Sequence, residues 1–197
     1  MPHPPAYTTL GSPFIELQLV DSTNNYARQQ ISSAILTELP QNQTGKPVLA
    51  QHGMAIFARE QSAGKGQRGK KWASAKGAGI ALSIIIDPRP LLISQQFQLS
   101  ACVAVAAREF FARYAGPGVS ITWPNDIYWT DKKAGGILIE SGIGSKTDNR
   151  WIWAIAGIGL NINQDSFAPD LPNPVSLHQV TGQTYDTAEL ARALCAE

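Results

Sequence analysis

The sequence predicts one α+β domain, a mixed and mostly antiparallel central β-sheet flanked by helices. Its 197 residues, 44% of them hydrophobic and 16% charged, suit a single globular domain with its own core. Short apolar runs alternate with helical patterns, and between residues 119 and 162 several strands follow one another directly. This pattern favours a sheet with helices on one side.

Seven segments have the composition of strands. The first, residues 14–20, alternates polar and apolar side chains and would turn Ile15, Leu17 and Leu19 to one face. Gly157 and Gly159 interrupt the last strand, which indicates a place where the backbone passes close to another group. The six later strands are predicted at residues 54–58, 79–86, 120–122, 127–129, 136–140 and 151–162.

Three segments have helical patterns. Side-chain oxygens at residues 21–23 can begin a helix that runs to about Ile35. The longest helix is predicted over residues 94–114, with Ser94 as its cap and a repeating apolar face formed by Phe97, Ala101, Val105 and one flank of Phe110 and Phe111. A third helix, residues 190–197, follows a capping-box pattern. Two polar loops are predicted at residues 40–46 and 165–173.

The two cysteines and the apolar runs limit the class of protein. Cys102 and Cys195 have no CxxC spacing, so neither a metal cluster nor a disulfide framework is indicated. Cys102 lies in an apolar helical stretch and is expected to be a buried thiol. The longest apolar run, residues 80–86, is too short to cross a bilayer, and the N-terminus lacks a signal-peptide pattern. We expect a protein of the reducing cytoplasm.

Positive charge is concentrated at one glycine-rich loop. The net charge of +1 gives no overall field for nucleic acid or membrane, yet residues 59–76 hold six cations and one anion. Residues 62–72 combine three glycines and four of these cations with a final Trp72. Such a loop can close over an anionic small molecule. By itself, its composition equally fits a mobile basic surface loop, and its GxGxxG spacing is weak evidence.

Four further polar segments could form a site. Residues 21–25, Asp-Ser-Thr-Asn-Asn, carry more hydrogen-bonding groups than a helix cap needs. Residues 122–126, Thr-Trp-Pro-Asn-Asp, can hold an amide and a carboxylate at a turn, or be a rigid turn only. Lys133 precedes Ala134 and Gly135, whose small size would leave room beside it for a phosphate or carboxylate. The fourth segment, residues 157–161, ends in an amide and could equally be close packing.

The order and spacing of these segments is more specific than any one of them. Together, Asp21-Ser-Thr-Asn, the loop Gln61–Trp72, Trp123-Pro-Asn-Asp126, Lys133-Ala-Gly-Gly-Ile-Leu-Ile-Glu140 and Gly157-Ile-Gly-Leu-Asn-Ile resemble the catalytic domain of biotin protein ligases. The resemblance covers roughly residues 14–195. It implies a fold like that of biotin and lipoate ligases and class II aminoacyl-tRNA synthetases. It also implies ATP and Mg²⁺ as cofactors, biotin as substrate, and a biotin carboxyl carrier protein as partner.

The resemblance also implies roles for individual residues. Biotin would be held by Ser22, Thr23, Asn24, Gln61, Lys65, Gly66, Gln67 and Lys133. The nucleotide would be held by Gly64, Arg68, Trp72, Asn125, Asp126 and Asn161. Lys133 and Arg68 would be catalytic, and Asp126 would face Mg²⁺.

Two positions depart from the family's usual pattern. The family's glycine-rich loop commonly carries arginines where this chain has Lys65 and Gln67. Lysine keeps the charge without the bidentate fork, and glutamine loses the charge. Thr122 stands where a lysine is frequent. A site with less positive charge would retain a reactive adenylate less well.

The resemblance further implies a reduced domain organisation. About a dozen residues precede the first predicted strand, too few for the DNA-binding winged helix of some relatives. The sequence ends at Glu197, and we expect the small C-terminal β-barrel of relatives to be absent or truncated. We expect one catalytic domain over residues 1–197 that binds no nucleic acid, as a monomer or a homodimer.

Two alternative functions stay open on the sequence. A lipoate ligase or octanoyl transferase would share the sheet and the lysine, although the polar cluster at residues 21–25 favours a ureido ligand. A non-catalytic biotin-binding protein would fit the departures at Gln67 and Thr122.

Overall fold

The computed structural model describes residues 9–37, 52–89, 91–144 and 150–197. Its strands are β1 (Phe14–Leu17), β2 (Ala55–Ala58), β3 (Gly79–Ile86), β4 (Val119–Thr122), β5 (Asp126–Trp129), β6 (Lys132–Ile143) and β7 (Trp151–Asn161). Its helices are α1 (Thr23–Thr37), α2 (Gln96–Ala115), α3 (Leu177–Thr181) and α4 (Thr187–Leu194). The strands form one sheet in the order β1-β2-β3-β7-β6-β5-β4, in which β1 and β2 are parallel and all other neighbours antiparallel. The predicted mixed, mostly antiparallel sheet is confirmed.

Helices cover both faces of this sheet. One face carries α2, α3 and α4 over the larger core, where Phe57, Leu82 and Phe110 are fully buried. On the other face α1 packs Ala27 and Ile31 against a smaller cluster, formed by Ile56, Ile85 and Ile155. The expectation of helices on one side is therefore wrong, because β2, β3 and β7 are apolar on both faces and need cover on both.

Helix α2 exists where predicted, but only the Phe110 and Phe111 end of its predicted apolar face is buried in the core. It begins at Gln96 after a 3₁₀ turn at Ile93–Gln95. Its buried residues are Leu99, Ala104, Ala107, Phe110 and Phe111, whereas Phe97 and Val105 are 63% and 45% exposed. Ala104 and Ala107 let the helix approach the sheet closely, and Val105 lies on the opposite, outer side of the helix, with Phe97 near its start. Cys102 is exposed on this outer side, so its predicted burial is wrong.

Smaller differences concern the ends of elements. β1 ends at Leu17, and Leu19, which lies beyond its end, is 61% exposed. α4 begins at Thr187, where the carboxylate of Asp186 accepts from two backbone N–H groups. The short helix α3 was not predicted, although Ser176 and Gln179 form a capping box at its start.

Two further points concern the predicted loops and the helices. Residues 165–173 contain no helix or strand, as predicted, and the predicted loop at 40–46 lies outside the described residues. Within the described ranges, no helix has both the length and the apolar character that a membrane crossing requires.

Candidate active site

Most of the predicted site residues meet in one cavity on the α1 face of the sheet. Its volume is about 360 Å³, within the usual range of small-molecule sites. The start of α1, the glycine-rich loop and strands β3, β7 and β6 enclose it. Twelve predicted residues line it: Ser22, Thr23, Asn24, Gln61, Lys65, Gly66, Gln67, Arg68, Trp72, Asn125, Asp126 and Lys133.

Two predicted residues do not line the cavity. The backbone oxygen of Gly64 accepts from the Trp72 N–H at 2.9 Å, inside the fold of the loop. Asn161 is 6% exposed, and its Nδ2 donates to Val175 O at 3.1 Å and to Lys133 O at 3.4 Å. Asn161 thus braces the backbone beneath Lys133, and its predicted contact with a nucleotide stays a prediction.

The floor of the cavity is a row of small residues in register across four strands. Ala81 of β3 pairs with Gly159, Gly159 with Gly136, and Gly136 with Asp126. Paired residues of antiparallel strands point to the same face, so this row faces the cavity. A Cβ on Gly159 would lie 2.5 Å from Cε2 of Trp72, so the tryptophan ring rests on the glycine backbone.

Gly157 accommodates a second close approach. A Cβ there would lie 2.4 Å from Oδ1 of Asn24. The two glycines of β7 predict that its backbone passes close to other groups. Those groups are Asn24 at Gly157 and Trp72 at Gly159.

Lys133 and Asp126 form an ion pair at the far end of the floor. Their Nζ and Oδ2 atoms lie 2.8 Å apart, and both side chains are partly exposed to the cavity. The second oxygen of Asp126 accepts from Asn125 Nδ2 at 2.8 Å. The amide therefore orients the carboxylate that faces the lysine.

A β-bulge sets the direction of the Lys133 side chain. Ile127 and Tyr128 are adjacent in β5, but their partners in β6 are Gly135 and Lys133, so Ala134 is an extra residue. The bulge turns Lys133 to the same face as Gly136. The predicted room beside the lysine comes from Gly136, not from Ala134 and Gly135: Ala134 is fully buried, and a Cβ on Gly135 would meet Leu160 at 2.4 Å.

Buried hydrogen bonds hold the first turn of α1 against the sheet. The backbone N–H of Thr23 donates to Gln61 Oε1 at 2.8 Å. Ser83 Oγ of β3 lies 2.7 Å from Thr23 Oγ1 and 2.6 Å from Asn24 Oδ1. Asn24 Nδ2 in turn donates to Glu140 Oε2 of β6 at 2.9 Å.

Sequence reasoning gave no role to Ser83 or Glu140. The signal for Ser83 was present: it is the single polar residue within the apolar run 79–86. Glu140 lay in a matched segment, but its partners are 112 and 116 residues away along the chain. Only the fold brings them together.

The glycine-rich loop folds back on itself over the cavity. Gly66 N–H donates to Lys70 O at 2.7 Å, and a β-bridge joins Lys65 to Lys71. Arg68 at its tip has a positive φ of 54°, a region that side chains other than glycine seldom adopt. Lys70 also lines the cavity, as does Lys71, so two cations without a predicted role join the site.

A short chain of polar contacts ties this loop to α1. Lys65 Nζ donates to Asn25 Oδ1 at 2.5 Å, and Asn25 Nδ2 donates to Asp21 Oδ2 at 2.5 Å. The bond from Asn25 is the largest cause that lowers the pKa of Asp21 below its usual value, and Lys65 adds to it. Asp21 is therefore a carboxylate at neutral pH and indirectly holds the loop cation.

The described residues do not form a resident metal site. No group of three histidine, cysteine or acidic side chains comes together within them. Asp126 is the one carboxylate among the described residues that line the cavity. A single carboxylate fits a Mg²⁺ ion that arrives with nucleotide phosphates, because Mg²⁺ usually takes most of its ligands from phosphate and water.

Comparison with known proteins identifies this arrangement. The profile of the biotin/lipoate A/B protein ligase family matches residues 18–156. The bifunctional ligase/repressor BirA of Bacillus spizizenii is 37% identical over 154 residues, which are 75% of this chain and 46% of the relative. The biotin–[acetyl-CoA-carboxylase] ligase of Paracoccus denitrificans is 33% identical over 141 residues, 68% of this chain and 56% of the relative. The chain thus spans about half the length of these relatives.

A solved structure agrees with the sequence relatives. The biotin protein ligase of Aquifex aeolicus in complex with biotin and ATP superposes with a TM-score of 0.68 at 28% identity. The match covers 92% of this chain and 66% of that one. The chain therefore belongs to the biotin/lipoate A/B protein ligase family, and it resembles the biotin protein ligases of that family.

Proposed function

We propose that this protein is an ATP-dependent biotin protein ligase. In the first step an oxygen of the biotin carboxylate attacks the α-phosphorus of ATP, forming biotinyl-5′-AMP and releasing pyrophosphate. In the second, the amine of a carrier-protein lysine attacks the acyl carbon, an amide forms, the nitrogen loses a proton and AMP leaves. The carrier is a biotin carboxyl carrier protein, and the reaction takes place in the cytoplasm.

The observation that carries the proposal is that one cavity contains two chemically different sets of side chains. One end holds neutral hydrogen-bonding side chains, Ser22, Thr23 and Asn24, which suit an uncharged polar ring. The other end holds the pair Lys133 and Asp126, which suits a carboxylate beside phosphate. A cavity of about 360 Å³ that is neutral at one end and charged at the other fits a reaction between biotin and ATP.

The charged end can stabilise the first step. Negative charge grows on the phosphorus oxygens as the carboxylate attacks, and a fixed cation lowers the energy of that transition state. Lys133 is held for this role by Asp126 and by the bulged strand beneath it. Arg68 lies on the loop above, where it can engage the same phosphate. The roles of both residues are part of the proposal.

Mg²⁺ would enter as a complex with ATP. Asp126 is the residue that would face it, with Asn125 orienting the carboxylate. When bound, the ion would neutralise the departing pyrophosphate. The glycine-rich loop would exclude water from the mixed anhydride, which water hydrolyses.

A labelling experiment tests the proposal. The protein is incubated with ATP, Mg²⁺ and labelled biotin or labelled lipoate, with and without a carrier domain. We expect pyrophosphate release that requires biotin, and label on the carrier from biotin only. Label from lipoate would identify a lipoate ligase instead. Biotin binding without pyrophosphate release would identify a non-catalytic biotin-binding protein.

A further inference from the structure

A buried row of hydrogen bonds connects the cavity to an ion pair outside it. The row runs from Thr23 through Ser83 and Asn24 to Glu140, with Oγ–Oγ, Oγ–Oδ1 and Nδ2–Oε2 distances of 2.7, 2.6 and 2.9 Å. Arg28 Nη2 lies 2.5 Å from the other oxygen, Oε1, of Glu140. Thr23, Asn24 and Ser83 are at most 4% exposed, so water does not replace these partners.

The carboxylate fixes the direction of the hydrogen bond beside it. Arg28 can only donate, and an ionised Glu140 can only accept. Asn24 must therefore turn its Nδ2 to Glu140, which leaves its Oδ1 facing Ser83. The orientation of this amide is set by the charge of its neighbour.

The number of hydroxyl hydrogens then determines the direction of the other hydrogen bonds in the row. Ser83 has one hydroxyl hydrogen, which it must give to Asn24 Oδ1. The 2.7 Å contact between Ser83 and Thr23 then takes the hydrogen of Thr23, in preference to the longer 3.2 Å contact of Thr23 Oγ1 with Gln61 Oε1, an oxygen that already accepts from the Thr23 N–H. With that hydrogen turned toward Ser83, the Thr23 hydroxyl offers only lone pairs to a ligand in the cavity.

We propose that Glu140 is a positioning residue that sets the polarity of the ligand site from outside it. Through Asn24 and Ser83 it makes the Thr23 hydroxyl a hydrogen-bond acceptor, which selects a ring that presents an N–H group. Arg28 holds Glu140 in that role. The inference rests on the proposed function, since it assigns the ureido N–H of biotin as the group that Thr23 accepts.

Replacement of Glu140 by glutamine tests the direction of the row. Arg28 would claim the oxygen of the introduced amide, so its NH₂ group would face Asn24. Asn24 would then turn over and Ser83 would donate to Thr23. The Thr23 hydroxyl would give one of its two lone pairs to Ser83 and turn its hydrogen to Gln61 Oε1 or to the cavity, so it would be a poorer acceptor for the ligand N–H. We expect Glu140→Gln to weaken biotin binding about tenfold in calorimetric titration without ATP. The KM for ATP at saturating biotin should not change.

Two further variants separate polarity from packing. The double variant Glu140→Gln/Arg28→Met frees the introduced amide to accept from Asn24, so biotin affinity should recover to within about threefold of the wild type. The matched control Glu109→Gln makes the same chemical change at an exposed ion pair with Arg108 and should have no effect. A carbamate analogue of biotin has an oxygen in place of one ureido N–H. The change from wild type to Glu140→Gln should reduce the affinity for this analogue less than it reduces the affinity for biotin.

The outcomes are distinguishable from failure of the proposed function. Three results would each overturn the inference. They are an unchanged biotin affinity in Glu140→Gln, no recovery of affinity in the double variant, and a rise in the KM for ATP that accompanies the loss of biotin affinity. If the wild type binds no biotin, the proposed function fails. The inference about Glu140 can then still be tested by spectroscopy of the ligand-free protein. The side-chain amide hydrogens of Asn24 in ¹⁵N spectra should shift in Glu140→Gln and return in the double variant. Identical spectra in all three would refute it.

Discussion

Lys133 Nζ and Asp126 Oδ2 lie 2.8 Å apart at the end of a floor made of glycine backbone. The pair joins the two strands at the edge of the β-bulge and offers the cavity one cation that is already oriented. Removing the lysine would take away that cation and leave a carboxylate facing an incoming phosphate.

Lys133→Ala should reduce adenylate formation by about 100-fold or more, because the fixed cation contributes in the transition state. Biotin-dependent exchange of pyrophosphate into ATP measures this step alone. Lys132→Ala is the matched control, since Lys132 is the adjacent, exposed residue of β6 and should have little effect. Equal rates in both variants would remove Lys133 from the proposed mechanism.

Gly159→Ala should impair ATP use more than Gly136→Ala. A methyl group on Gly159 would overlap the Trp72 ring at 2.5 Å, whereas one on Gly136 would make ordinary contacts at 3.5 Å. We expect the first change to displace the ring at a cost of about 1–3 kcal/mol. The KM for ATP and the total fluorescence of the five tryptophans should report the displacement, and a larger effect at Gly136 would contradict it.

Gln67→Arg should lengthen the time that biotinyl-AMP stays bound. Gln67 lines the cavity without charge, and a cation there would attract the phosphate of the adenylate. Retention of labelled adenylate on a filter, followed over time, measures this property. Gln29→Arg adds the same charge on an exposed part of α1 and should leave retention unchanged. Faster release from Gln67→Arg would count against this role.

Asn25→Ala should loosen the glycine-rich loop. The change removes the amide that joins Lys65 to Asp21, so protease should cut more rapidly between Gly64 and Lys71. Biotin together with ATP should suppress that cleavage in the wild-type protein. Gln29→Ala is the control on the same helix. Cleavage that neither Asn25→Ala nor the ligands alter would show that the loop does not close in this way.

The two cysteines should differ in reactivity and in their effect on stability. Burial raises the pKa of the Cys195 thiol from 9.0 to about 11, whereas Cys102 is exposed. A thiol reagent at pH 8 should therefore modify Cys102 in the folded protein and spare Cys195.

The same shift has a defined consequence for unfolding. Between pH 9 and about 11 the unfolded chain loses the Cys195 proton before the folded one does, so the free energy of unfolding should fall as the pH rises. Denaturant titrations at several pH values measure the fall. It should be smaller in Cys195→Ala and unchanged in Cys102→Ala, and equal slopes in both would contradict the assignment.

Local patterns in the sequence were sufficient to predict most strands, and twelve of the residues that the family resemblance singles out line one cavity. Each strand has its own alternation or apolar run, and the motif residues carry the family resemblance together. The face of α2 was not predictable in this way, because its alanines and its larger apolar residues give similar helical spacing. Which of them is buried depends on how closely the sheet approaches.

Contacts between residues that are far apart in the sequence could not be predicted either. The extra residue Ala134 is visible only once β5 pairs with β6, and without it Lys133 would be assigned to the wrong face. Ser83 and Glu140 act on Asn24 across separations of 59 and 116 residues. Asn161 also donates to backbone oxygens of Val175 and Lys133, which only the fold places beside it.

The glycine row beneath the cavity has a consequence for how the site can evolve or be inhibited. Gly157, Gly159 and Gly136 have no side chain to exchange for a smaller one, and every substitution adds atoms. At Gly157 and Gly159 those atoms would overlap Asn24 and Trp72. An inhibitor that contacts these glycines would contact their backbone atoms, which a substitution cannot remove. Substitutions at Gly157 and Gly159 would displace Asn24 and Trp72, so we expect changes in ligand preference to arise in the walls of the cavity and in the glycine-rich loop.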